Sequence, residues 1–205
     1  FTYLELGFDT QDVNANQGYV VDEITSTPTR QFEQDAFTYT AVDQDGSTSE
    51  GTLSAFAFSN DLNPVIGGED DDSLVGTDND DGLVGGPGDD ELTGGLGDDV
   101  FKWTLADEGD TDDPADDVIT DFGQGTNVLD LRDLLVDESE QTISDFLSVS
   151  EDGDDLLFQV TSDGSADGVT QTIRLTDMSF SDFGADNASE LIQNMLDSGQ
   201  LDIDT

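Results

Sequence analysis

Along this 205-residue chain the spacing of apolar positions changes twice, and each change marks a different kind of structure. Over residues 1–60 the spacing is two. Phe1, Tyr3 and Glu5 oppose Thr2, Leu4 and Leu6, Gly18 to Ile24 gives a second run, and Phe37, Tyr39 and Ala41 line one face of a third. Alternation of this kind predicts half-buried strands. Asp43-Gln44-Asp45-Gly46 then leads into Thr52 to Phe58, which predicts a hairpin. Further on, Leu156 to Thr161 and Val169 to Thr176 predict a second hairpin across SDGSADG. The segment NASELIQNMLDSG has helical spacing, with Leu191, Ile192, Met195 and Leu196 on one face. Asn187 and Glu190 form an Asn-x-x-Glu variant of the capping box, and Gly199 ends the helix.

Between these regions, from Gly67 to Lys102, the period is nine. The units read GGEDDDSLV, GTDNDDGLV, GGPGDDELT and GGLGDDVFK, with nothing inserted between them. The sixth position holds Asp72, Asp81, Asp90 and Asp99, and the eighth holds Leu74, Leu83, Leu92 and Phe101. A Gly/Asp-rich linker has similar composition but would not keep an acid and a large apolar residue in phase. The pattern G-G-x-G-x-D-x-U-x, with U apolar, marks a parallel β-roll that binds calcium. Glycines allow positive-φ turns that bring carbonyls onto a cation, a fixed Asp supplies charge, and each short strand buries one apolar side chain.

In these repeats the chain resembles the RTX family, the Gly- and Asp-rich repeat proteins exported by bacterial type I secretion. The resemblance implies that two nonapeptides make one turn, so that loops eighteen residues apart stack and hold calcium between them. One implied site takes the carbonyls of Gly68 and Asp70 with the side chain of Asp72, joined by the carbonyls of Gly85 and Pro87 and the Asp90 carboxylate. A second takes Thr77, Asn79 and Asp81 with Gly94, Leu96 and Asp99. Asp70, Thr77 and Asn79 stand where the pattern has Gly, which implies distorted or weaker first loops; the last two units keep Gly85, Gly86, Gly88, Gly94, Gly95 and Gly97. The DVITDF segment resembles the one that closes the roll in that family. Its Asp117, eighteen residues after Asp99, and its Asp121 are either further ligands or solvated acids beside a hydrophobic strand. Family members often carry Asp where Asn127 stands.

The stretch DAFTYTAVDQDGSTSEGTLSAFAF resembles the last two strands of immunoglobulin-like extender domains of large adhesins. Such sandwiches need about seven strands, and about four are visible, so the domain is either truncated or completed elsewhere. Asp43 and Asp45 suit a solvated turn or a calcium site. The C-terminal layout, down to LDID, resembles the target region of type I-secreted adhesins. The expected fold is mainly β: a partial immunoglobulin-like β-sandwich over 1–60, a linker over 61–66, a short parallel calcium-binding β-roll with its closing strand over 67–122, and a C-terminal β-rich cap with one or two helices over 123–205.

Charge narrows the partners. Fifty acidic residues face four basic ones, for a net charge of −46. Nucleic acid and anionic lipid would be repelled, and the chain would resist compaction unless cations neutralise it. A marine or halophilic origin would also account for many of the acids outside the repeats. With no Cys and no His, disulfides, thiolate chemistry, zinc sites and His-based catalysis are excluded. No apolar run reaches the roughly 18 residues of a membrane span, and no signal peptide opens the chain, which begins inside a strand like a piece of something larger. EF-hand spacing fails, because Ala41, Thr77 and Ser148 stand five residues before Gly46, Gly82 and Gly153. No GxxxxGK or GxSxG occurs.

The resemblance and the charge together lead to one expectation: no enzyme and no catalytic residues, but the calcium-binding C-terminal module of a large secreted RTX adhesin, directing type I secretion and folding on calcium outside the cell. Its partners are calcium ions and, through the C-terminus, the type I secretion apparatus. It is expected to be monomeric and extracellular or at the bacterial surface, with a role in adhesion and biofilm, and without nucleic-acid binding or membrane insertion. The alternative is the C-terminal calcium-binding and export half of an RTX hydrolase or toxin. A third possibility, ligand or ice binding on the flat face of the roll, has little area behind it.

Overall fold

The computed structural model describes residues 35–42, 48–55, 62–135, 143–164 and 168–203. The strands expected over 1–6 and 18–24, and Asp43 and Asp45, lie outside them. The chain is mainly β and divides into two units, Phe1–Ala57 and Phe58–Thr205. In the first, β1 (Asp35–Val42) and β2 (Thr48–Ala55) pair antiparallel from Asp35↔Ala55 to Val42↔Thr48, which is the hairpin expected from the alternation.

The second unit is built on a roll. Its first strands are β3 (Asn63–Ile66), β4 (Ser73–Val75), β5 (Asp81–Val84), β6 (Glu91–Thr93) and β7 (Val100–Thr104). Successive strands go to opposite sheets. Each pairs in parallel with the strand one turn away, with Leu74 beside Leu92, Val65 beside Leu83 and Leu83 beside Phe101. The eighteen-residue turn expected from the repeats is therefore present. A three-residue strand points its central side chain to one face, and that inward face is where position eight falls. Leu83, Leu92 and Phe101 are fully buried, whereas Leu74, in the outermost β4, is half-buried.

Two boundaries differ from expectation. Asn63–Ile66, read as linker, is the first strand of the roll, paired with β5 from Asn63↔Asp81 to Ile66↔Val84. Pro64 is compatible with this because β3 is the end strand of its sheet. The expected break between roll and cap near residue 122 is also absent. The roll continues through β8 (Ala115–Ile119) and β9 (Val128–Asp133), and both sheets then run on into the C-terminal region.

That region contains α1 (Ile143–Phe146), β10 (Leu147–Asp152), β11 (Asp155–Val160), β12 (Gln171–Leu175), a 3₁₀ turn at Phe180–Phe183, α2 (Ala188–Ser198) and β13 (Leu201–Asp202). One sheet runs β10-β11-β12-β8-β6-β4 and the other β13-β9-β7-β5-β3. The expected hairpin is β11–β12, and β12 lies parallel to β8. The expected helix is α2: Asn187 accepts the Glu190 N–H at 3.1 Å, Glu190 reaches back to the N–H of Asp186, and Gly199 closes the helix at φ 75°. One apolar core spans roll and cap, with Phe122 packed between Phe101 and Phe183 at centroid distances of 6.1 and 6.2 Å.

Three of the four basic residues tie sheet surfaces together. Lys102, almost fully buried, is held by Asp130 and Asp133; Arg132 bonds Asp130 at 2.7 Å and lies 3.3 Å from Asp202; Arg174 bonds Asp152 and Asp155. Burial works to raise the Asp130 carboxyl, but the Arg132 hydrogen bond and the Lys102 charge outweigh it and hold it low. Among the described residues no helix is long and apolar enough to cross a membrane.

Candidate metal-binding loops

The loops that enter the roll strands stack in two ladders, and in the third and fourth repeats the position-six side chain reaches back one turn. Asp90 Oδ1 accepts the backbone N–H of Asp72 at 2.8 Å, and Asp99 Oδ1 accepts that of Asp81 at 2.9 Å. Their other oxygens, Asp90 Oδ2 and Asp99 Oδ2, are buried without a hydrogen-bond partner, as is Asp81 Oδ1. A buried carboxylate oxygen with no donor is costly, and a cation or a proton removes the cost. On the lower turn, Asp72 Oδ2 accepts the Gly68 N–H at 2.6 Å, while Asp81 Oδ2 accepts the Thr77 N–H at 2.6 Å and its hydroxyl at 2.9 Å.

Backbone oxygens converge on the same space. A Cβ on Gly67 would run into the Gly85 carbonyl oxygen and stand 2.7 Å from Asp72 Oδ2; one on Gly76 would meet the Gly94 carbonyl oxygen and stand 2.9 Å from Asp81 Oδ2. On Gly86 and Gly95 it would strike the carbonyls of Gly68 and Thr77, and on Gly97 it would stand 2.7 Å from that of Asn79. Asp90 Oδ2 and Asp99 Oδ2 themselves lie over Gly85 and Gly94, where any Cβ would collide with them. The glycines at position one, and Gly86 and Gly95 at position two, are thus required by close approach of oxygens. Among the described residues no three acidic side chains gather into a ready metal cluster. A cation held here would therefore draw much of its shell from carbonyls, which suits a hard ion of flexible coordination.

The loop positions are not all alike. Gly86, Gly88, Gly95 and Gly97 have φ of 105°, 127°, 101° and 124°. Asp70, Thr77 and Asn79 take no such conformation, since Asp177 is the only non-glycine with positive φ among the described residues. The Thr77 carbonyl also accepts the Leu96 N–H at 3.0 Å. The first two loops therefore differ in backbone from the last two. Pro87 and Leu96 occupy position three of the latter.

Burial pushes the Asp99 carboxyl up to about 6, opposed by the Asp81 N–H and reinforced by the charges of Asp81, Asp121 and Asp80. The same cause raises Asp90, with the charge of Asp72 adding to it. These acids are held where ionisation is unfavourable, the condition that a bound cation reverses.

Asp117 and Asp121 are placed differently from the expectation. Asp117 does not stack on Asp99. The loop between β7 and β8 adds nine residues, so Asp117 stacks on Asp90, twenty-seven residues earlier, and its Oδ1 accepts the Asp90 N–H at 2.8 Å. Its Oδ2 accepts from Trp103 Nε1 at 2.6 Å and Gln171 Nε2 at 2.9 Å. Burial pushes this carboxyl up to about 7 in spite of those bonds. Asp121 accepts the N–H groups of Gly94 and Gly95 through its two oxygens, at 2.9 and 2.8 Å. Both acids hold loops in place by hydrogen bonds.

Three degenerate repeats escape a search for the full motif. FSNDLNPVI (58–66), DDPADDVIT (112–120) and FGQGTNVLD (122–130) put Asn63, Asp117 and Asn127 at position six and Val65, Ile119 and Leu129 at position eight. Their strands pair in that register, Leu92 with Ile119 and Phe101 with Leu129. The match of DDPADDVIT to GGPGDDELT at Pro, Asp-Asp and Thr was a usable signal. A further row was missed at position five: Asp71 and Asp89 accept the N–H groups of Asp89 and Asp116 at 3.0 and 2.9 Å, and Asp80 and Asp98 those of Asp98 and Thr126 at 2.9 and 2.8 Å. Asp at position five of all four perfect units was its signal.

No protein-family model and no curated protein matches the chain. Among the solved structures that resemble it are two subunits of one enzyme. The AlgE6R3 subunit of the Azotobacter vinelandii mannuronan C5-epimerase is 22% identical with a TM-score of 0.40, over 63% of this chain and 81% of that one. The AlgE6R2 subunit of the same enzyme is 24% identical with a TM-score of 0.34, over 60% and 90%. Likeness of this degree decides nothing about function. It does correct the expectation that the chain is not an enzyme: both neighbours are subunits of one, so missing catalytic motifs in a stretch like this neither make the chain an enzyme nor exclude it from being part of one.

Proposed function

We propose that this chain is a calcium-binding roll-and-cap module of a secreted RTX-type protein, folded by calcium after export. The observation that carries the reading is the pair of buried, partnerless oxygens, Asp90 Oδ2 and Asp99 Oδ2, set among loop carbonyls between stacked turns. One ion would be held by Asp72 and Asp90 with the carbonyls of Gly68, Asp70, Gly85 and Pro87, and a second by Asp81 and Asp99 with those of Thr77, Asn79, Gly94 and Leu96. Bound calcium would supply the positive charge that lets these carboxylates remain ionised when buried.

The rest of the chain supports the same reading. A net charge of −46 opposes folding where calcium is scarce. Extracellular-type sites, with dissociation constants on the order of 10⁻⁴ to 10⁻³ M, fill outside the cell and stabilise the fold by mass action. The parent protein is an adhesin at the bacterial surface, in keeping with the β1–β2 hairpin ahead of the roll, and residues from about Asn187 onward carry the type I export signal. The module is a monomer.

Circular dichroism with chelator and then with millimolar calcium tests the switch: β-structure in the second unit should appear on addition of calcium. A spectrum the same in both conditions overturns it. Export is tested apart from folding by deleting residues 187–205 from a secreted fusion; release at the undiminished rate would place the signal elsewhere.

A further inference from the structure

The two ladders of position-six side chains do not run on indefinitely, and their last members differ chemically from the inner ones. In the inner turns, Asp90 and Asp99 each put Oδ1 on the N–H one turn back and leave Oδ2 buried without a partner. Asn127 repeats the first contact, with its Oδ1 accepting the Asp99 N–H at 2.8 Å. In place of the second oxygen stands Nδ2, which donates to the carbonyls of Phe122 at 3.1 Å and Gln124 at 3.2 Å. Counted back from Asn127, these are positions one and three of the degenerate repeat FGQGTNVLD. They correspond to Gly85 and Pro87, counted back from Asp90.

We infer that the Asn127 amide takes the place of a calcium ion, so that it ends its ladder with a hydrogen-bonded, metal-free turn and limits that ladder to the site between Asp81 and Asp99. This rests on the calcium reading proposed above. The amide group satisfies, as a neutral donor, the two carbonyls that a cation would otherwise bridge, and Asn127 is fully buried, so no water competes for them. The loop around it otherwise keeps the form of a binding loop: Gly125 has φ 109°, and a Cβ there would collide with the Gly97 carbonyl oxygen, as Cβ atoms on Gly86 and Gly95 would with the carbonyls one turn below. One atom, nitrogen in place of oxygen, separates this turn from a site. The other ladder ends by the same logic, with the donors on other residues: Trp103 Nε1 and Gln171 Nε2 occupy Asp117 Oδ2.

Asn127→Asp tests the inference. Calcium stoichiometry of the full chain is counted by native mass spectrometry at saturating calcium, and thermal stability is followed with chelator and with calcium. The native chain should carry two ions in the second unit, and Asn127→Asp one more. The variant should be less stable than the native chain in chelator, where a carboxylate oxygen faces the carbonyls of Phe122 and Gln124, and should recover in calcium. Asn127→Ala should gain no ion. A native chain that binds none overturns the calcium reading itself. A native chain that binds two and an Asn127→Asp chain that also binds two, or that stays unfolded at saturating calcium, overturns the inference alone.

Discussion

Asp90 Oδ1 lies 2.8 Å from the backbone nitrogen of Asp72, eighteen residues before it, while its Oδ2 is buried with no partner. One carboxylate thus fastens two turns of the roll together and leaves an unmet charge between them. Asp90→Asn keeps the shape and can keep the contact to Asp72, but removes that charge. It should weaken calcium binding about tenfold or more, the scale of a lost hydrogen-bonding charge. Calorimetry checks this against Asp112→Asn, an exposed loop acid, which should change little.

Gly85 and Gly153 separate two reasons for glycine. At Gly85 a Cβ would collide with Asp90 Oδ2, whereas at Gly153 nothing lies within 4 Å and only the φ of 71° disfavours a side chain. Gly153→Ala should cost roughly 1–2 kcal/mol of stability with calcium affinity unaltered. Gly85→Ala should lower calcium affinity itself, measured by the same titration. Equal affinities in the two variants would mean that the space over Gly85 has no part in binding.

Acid should substitute in part for calcium. Burial raises Asp99 to about 6 and Asp117 to about 7 in the calcium-free fold, above their unfolded values. A group raised in this way contributes stability that is fully present below its unfolded pKa and is lost as pH rises through its folded one. Denaturant unfolding in chelator should therefore show a more stable second unit at pH 5 than at pH 8, with the loss beginning near pH 4 and complete by about pH 7. Asp130 and Asp182 are lowered, and their contribution falls away only at more acid pH, below this window. Calcium affinity should fall in the opposite sense, as pH drops below about 6.

Lys102 is the only lysine in the chain, and it is almost fully buried between Asp130 and Asp133. Lys102→Met should destabilise the second unit by about 3–5 kcal/mol, because Asp130 and Asp133 lose a buried countercharge. Chemical denaturation in calcium measures it. Loss of less than about 1 kcal/mol would mean that Arg132 alone satisfies Asp130.

The parts legible in the sequence were those written in a repeated pattern. Four units in strict phase located Asp72, Asp81, Asp90 and Asp99, and the eighteen-residue turn, which the family resemblance implies, is the one the strands pair by. Asn187, Glu190 and Gly199 gave α2 because capping is local. The parts that escaped depend on contacts distant along the chain. Asp117 lies eighteen residues after Asp99, but its partner is Asp90, since the added nine-residue loop shifts it to the other ladder. Asn63 looked like linker because Pro64 follows it, and only the end position of β3 makes proline acceptable there. The hairpin of β10 and β11 turns on Gly153-Asp154 between the paired Asp152 and Asp155, and its sequence signal is the Asp-Gly step between alternating runs.

The account turns on cations between stacked loops, and anomalous diffraction from crystals grown in calcium tests it most directly. Two peaks are expected, one between Asp72 and Asp90 and one between Asp81 and Asp99, with none between Asp90 and Asp117 or between Asp99 and Asn127. An ordered roll whose loops show no anomalous density at either inner position would contradict it.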